Sequence, residues 1–134
     1  MTRLVTSFAT VAVLAVALTG CSFGANSQDQ ACKDFETAWS AMKSSIDTNL
    51  PKVTEDSAAW GKLSDARDAF VSAAHEVGNG QIDPLSSTTA ERVGTLVDAA
   101  RLYKQKPSDG TQAALDTAQE NLSDTVAKID AICK

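Results

Sequence analysis

Basic excess, histidine, aromatic side chains and alternating apolar runs are all scarce in this chain, and each scarcity removes a class of structure or function. Lysine and arginine number 12 against 17 aspartates and glutamates, a formal net charge of −5, so no nucleic acid partner is expected: the phosphate backbone would be repelled. Aromatic residues make up 5% of the chain while alanine is plentiful, so the core must close through small side chains. No stretch alternates apolar with polar residues, and the β-branched residues are dispersed at helical spacing, which leaves no strand candidate. Histidine occurs once, as His75. Di-iron bundles hold their metals through paired Glu-x-x-His, and three residues before His75 stands Ser72, so that metal ligand set is absent. No nucleophile with a partnered base is recognisable, and the carboxylates Asp34, Glu36, Asp65, Asp68 and Glu120 fall at solvent-face positions. The domain is expected to be no enzyme and to hold no cofactor.

What is present is helical periodicity. Cys32, Phe35, Trp39, Met42 and Ile46 step by three and four residues over positions 29–47, which places them on one face of a helix. Ser27 with Gln30, or Asp29 itself, offers the N-cap, and Pro51 disfavours helical geometry at the residue before it. A second helix is predicted from Thr54 or Glu55 to Val77 through Trp60, Leu63, Phe70, Ala74 and Val77, stopped by left-handed conformations at Gly78-Asn79-Gly80. Residues 81–86, with Pro84, read as a loop. Thr88 and Glu91 fit a capping box for a third helix carrying Val93, Leu96, Val97, Ala100 and Tyr103 to about Gln105, with a close backbone approach at Gly94. Pro107 closes it. Ser108 or Asp109 caps the last helix, whose face is Leu115, Ala118, Leu122, Val126, Ile129 and Ile132. Four helices with short connections predict an all-α, up-down-up-down four-helix bundle over residues 29–134.

Ahead of the bundle stands a short basic start, Met1-Thr2-Arg3, then an apolar run through Val11, Val13, Leu14 and Val16 that ends in Leu18-Thr19-Gly20-Cys21. The run is too short for a comfortable membrane span, which needs about 20 apolar residues. This ending resembles the lipobox of bacterial lipoproteins, and its style is similar to that of small lipoproteins of actinobacteria and their phages. The resemblance implies a signal peptide over residues 1–20, cleavage before Cys21, lipidation of Cys21, and a tether over residues 21–28 rich in Gly24, Asn26 and Ser27. It also implies residence at the extracytoplasmic face of the cell membrane, held through the lipid on Cys21. Removing the leader takes one charge, Arg3, so 11 basic residues face 17 acidic ones and the mature chain carries −6. Its 114 residues suffice for one domain.

In an oxidising compartment the remaining cysteines, Cys32 and Cys133, read as a disulfide, the alternative being two buried thiols. The enclosed loop of about 100 residues would make that bond worth roughly 4 to 5 kcal/mol on chain-entropy grounds. In the predicted bundle Cys32 opens helix one and Cys133 closes helix four, which brings them to one end beside the tether. The turns near Pro51 and Pro107 then point outward, and Lys52, Lys104 and Lys106 cluster there as a partner surface or as a solvated end. The same topology separates Met42 from His75 by about 20 Å along the bundle at 1.5 Å per residue, so they cannot share a haem. Trp39 and Trp60 flank the first outer turn at similar heights and are placed to stack. With Tyr103 they either pack the core or border a small apolar pocket.

The functional expectation is a lipid-anchored, non-enzymatic envelope lipoprotein acting through contacts with an unidentified envelope protein. Among lipoproteins of this style, phage exclusion and modulation of an envelope partner are the roles implied. The competing class is a carrier of a small apolar ligand within the bundle. Substituting Cys21→Ala is expected to abolish incorporation of a labelled fatty acid and to release or mis-sort the protein; unchanged labelling would refute the lipobox.

Overall fold

The computed structural model describes residues 27–134, so the leader, Cys21 and most of the tether lie outside the described residues. The first predicted apolar face becomes α1, Gln28–Asn49, which starts one residue inside the segment read as tether. Ser27 Oγ accepts the amide of Gln30 and satisfies one of the leading donors, so Ser27 rather than Asp29 is the cap. Leu50 keeps helical backbone angles although it precedes Pro51, and the chain runs on into a 3-10 turn, Leu50–Lys52. Burial of Leu50 and Val53 against the core outweighs the pre-proline preference.

α2 spans Ser57–His75, two or three residues later at its start than the sequence predicts, because the Asp56 carboxylate caps it by accepting the amide of Ala58. Its end departs further from expectation. No glycine among the described residues has a positive φ, so the left-handed stop at Gly78-Asn79-Gly80 does not exist. Instead Asn79 organises the turn: its Oδ1 accepts the amides of Gln81 and Ile82, and its carbonyl accepts the amide of Asp83. Val77 and Ile82 are buried on either side of it.

That turn delivers the chain directly into α3, Asp83–Gln105, so residues 83–86 are helical and not a loop. Pro84 sits in the first turn, where a missing amide hydrogen costs nothing and the fixed φ is already helical. Thr88 consequently lies inside the helix, its hydroxyl donating to the Pro84 carbonyl, and forms no capping box with Glu91. The buried Ser86 hydroxyl donates to the Ala74 carbonyl at 2.8 Å, tying the start of α3 to the end of α2. The close approach expected at Gly94 is also missing, since a Cβ built there meets nothing within 4 Å. α4, Asp109–Ile132, begins at a full capping box: Ser108 Oγ accepts the Thr111 amide and Thr111 Oγ1 accepts the Ser108 amide.

The fold is all-α, four helices with no strand among the described residues. α1 packs on α2, α2 on α3 and α3 on α4. Their buried faces meet in one core that includes Phe35, Met42, Leu63, Phe70, Val93, Leu96, Leu122 and Ile129. Phe70 takes edge-on contacts from Phe35 at 6.1 Å and Trp39 at 5.8 Å between ring centroids. This replaces the expected Trp39 to Trp60 stack. The 3-10 turn lengthens the first connection, so residue 45 lies beside residue 62, as the Ser45 hydroxyl donating to the Lys62 carbonyl shows. Trp39 is thereby level with Phe70, while Trp60 stands about 15 Å further along α2.

α1 and α4 lack the continuous close backbone approach of the other three seams. At one end they are joined by the Cys32–Cys133 disulfide, Cα atoms 5.7 Å apart, and by Gln28 Nε2 donating to the Ile132 carbonyl at 2.8 Å. The bond encloses 101 residues of sequence separation. Cys32→Ala is expected to lower the melting temperature relative to wild type without reductant and to match it once reductant is added; equal melting without reductant would refute the stabilising role.

Candidate distal tip and the α1–α4 seam

The end of the molecule opposite the disulfide is built from two connections, the 3-10 turn between α1 and α2 and the short link between α3 and α4. α4 is 24 residues long, about 36 Å at 1.5 Å per residue, so its start stands well away from Cys133. There the 3-10 turn places Leu50, Pro51 and Val53 against Tyr103 of α3 and Leu115 of α4, around an open hollow of about 400 Å3. Leu50 and Val53 are buried, Tyr103 is half-buried and Pro51 is exposed. One residue before Tyr103, Leu102 is 52% exposed, the large apolar side chain that stands out in this way among the described residues. Exposed Lys52, Lys106 and Pro107 and half-buried Lys104 belong to the same end. An exposed leucine at an end that also carries lysines offers a partner an apolar anchor, with basic side chains elsewhere on the same end.

The second feature is the α1–α4 seam. Next to the disulfide it opens into a cleft of about 550 Å3 bordered by Phe35, Trp39, Ile129 and both cysteines. Further along, a shallower cleft of about 330 Å3 has Trp39, Ile46, Leu96, Leu122 and Val126 at its base, with Lys43, Asp47 and Asp130 among its walls. Trp39 borders both and divides them. Lys43 and Asp47, one turn apart on α1, form an exposed ion pair at the rim of the shallower cleft.

No known protein family, curated protein or solved structure matches the chain. Chemical character therefore rests on the residues themselves. The three aromatics singled out in the sequence do not meet: Trp39 borders the seam, Tyr103 borders the distal hollow, and half-buried Trp60 borders neither. Met42 is buried in α1, whereas His75 is exposed in the last turn of α2, where a cation suits the helix end. Among the described residues no three histidine, cysteine or carboxylate side chains converge on a metal-sized site. Every fully buried side-chain nitrogen or oxygen among them has a hydrogen-bond partner. Glu36, Asp65, Asp68 and Glu120 are exposed, Asp68 being paired with Arg67, and Asp34 is half-buried and accepts from Gln30 Nε2. No helix among the described residues is long and apolar enough to cross a membrane.

Leu102 is the residue the sequence reading passed over. The apolar stripe of α3 runs through Val93, Leu96, Val97, Ala100 and Tyr103, and Leu102 lies off it by one residue, about 100° round the helix. A large apolar side chain off the stripe was the available signal. Because Leu102 is exposed, Leu102→Glu is expected to change unfolding free energy by no more than about 0.5 kcal/mol, measured by urea denaturation. A loss of several kcal/mol would show that Leu102 is part of the core.

Proposed function

We propose that the protein is a lipid-anchored, non-enzymatic envelope lipoprotein that binds a protein partner through its distal tip. The observation that carries this reading is the exposure of Leu102 at the end remote from the disulfide. The Leu18-Thr19-Gly20-Cys21 pattern supplies the anchor, and Ser27, the first described residue, leads straight into the disulfide end of α1. Six residues between Cys21 and α1, 22–27, reach at most about 20 Å, so in this reading the disulfide end stays close to the bilayer and the helices alternate in direction away from it. Leu102, Pro51 and Lys106 then face outward. Phage exclusion and modulation of an envelope protein are the roles that fit such a display. The alternative, a carrier of a small apolar ligand, calls for one enclosed chamber; the separation of Trp39 from Tyr103 and the openness of both hollows weigh toward protein contacts.

A photo-crosslinking amino acid at position 102, activated in the native envelope, is expected to give a discrete protein adduct that the same group at Glu120, exposed on α4, does not give. Co-purified lipid with no adduct at 102 would favour the carrier instead.

A further inference from the structure

The disulfide joins unlike ends of two helices. Cys32 is the fifth residue of α1, and a helical side chain leans toward the N-terminus, so its sulfur lies over the first turn, where unpaired amides carry partial positive charge. Cys133 caps the other kind of end, the C-terminus of α4, where unpaired carbonyls carry partial negative charge. The two also differ in burial. Cys32 is half-buried and packs on the hydrophobic core; Cys133 is exposed. Beside them lies the cleft of about 550 Å3, bordered by both cysteines and open to solvent. Its charged border mixes Asp29, Glu36 and Asp130 with Lys33 and Lys134.

We propose that this bond is a directional thiol-exchange site, at which a small monothiol becomes attached to Cys133 and Cys32 is released. A thiolate attacks Cys133 Sγ in line with the bond, the new sulfur–sulfur bond forms as the old one breaks, and the electron pair leaves on Cys32 Sγ. Nothing is oxidised or reduced overall: one disulfide and one thiolate give another disulfide and another thiolate. Access selects Cys133 as the atom attacked, and the partial positive charge of the helix start stabilises the thiolate that leaves on Cys32. The opposite attack would have to reach the half-buried residue and expel a thiolate at the negative end of α4.

The product frees the α1–α4 seam at its one covalent point. What still spans that end is the hydrogen bond from Gln28 to the Ile132 carbonyl and the packing of Phe35, Ile129 and Ile132 in the common core. The proposal rests on the cysteines and the cleft alone and is independent of lipid at Cys21.

The test uses the full-length chain carrying Cys21→Ala, so that no third thiol takes part, with its disulfide intact. It is mixed with excess 2-mercaptoethanol, a neutral probe, and quenched early with N-ethylmaleimide; peptide mass spectrometry then locates the mercaptoethanol adduct and the alkylated thiol. The expected result is mercaptoethanol on Cys133 and maleimide on Cys32, in excess of the reverse product by about tenfold, with the excess falling to near parity in concentrated urea. Equal adducts in the folded protein, a preference for Cys32, no adduct without denaturant, or an unchanged excess in urea would each overturn the proposal.

Discussion

Closure of the α1–α4 seam is the constraint on which the rest of the structure depends. Three seams close by interdigitated side chains, with Phe70 on α2 gathering Phe35 and Trp39 from α1, and Leu96 on α3 and Leu122 on α4 belonging to the same core. The fourth joins the first helix to the last and is held at one end by a covalent bond. A core with few aromatics has limited apolar area to distribute, and the seam with the largest sequence separation is the one whose ordering costs the most chain entropy. A cross-link there acts on the unfolded chain, where small side chains cannot help.

The seam also divides the molecule into unlike ends. At one stand the disulfide, the cleft beside it and the entry of the chain; at the other, the 3-10 turn, Tyr103 and the exposed Leu102. The features that carry the two proposals, surface leucine and accessible sulfur, are thus about a helix length apart. Neither competes with the other for space, and the core between them has no unsatisfied buried polar side chain among the described residues.

Much of the fold was legible because it is written in period. Cys32, Phe35, Trp39, Met42 and Ile46 named the inner face of α1, and Leu115, Ala118, Leu122, Val126 and Ile129 that of α4; the cysteine pair reads from an even count in an oxidising compartment, and placing those helices end by end agrees with it. Connections were less legible, since they depend on what tertiary burial asks of a short segment. Pro51 and Pro84 each looked like a breaker, yet one sits in a 3-10 turn and the other in the first turn of α3, because Leu50 and Ile82 beside them are drawn into the core. Those shifts of a few residues moved Trp39 from Trp60 to Phe70 and set the three aromatics apart, each packed against the core as one of the two readings had it and not around a common pocket. Leu102 went unnoticed for a related reason: periodicity reports what faces inward and is silent on what an outward residue is for.

The glycines carry a last consequence. Gly94 lies in the middle of α3 with open space where a Cβ would stand, and Gly61 in α2 is similar. Each costs its helix about 1 kcal/mol relative to alanine and receives no packing in exchange. A chain selected for maximal robustness would have discarded both. Stabilisation thus lies unused in two helices of a bundle whose first and last helices are closed by a covalent bond.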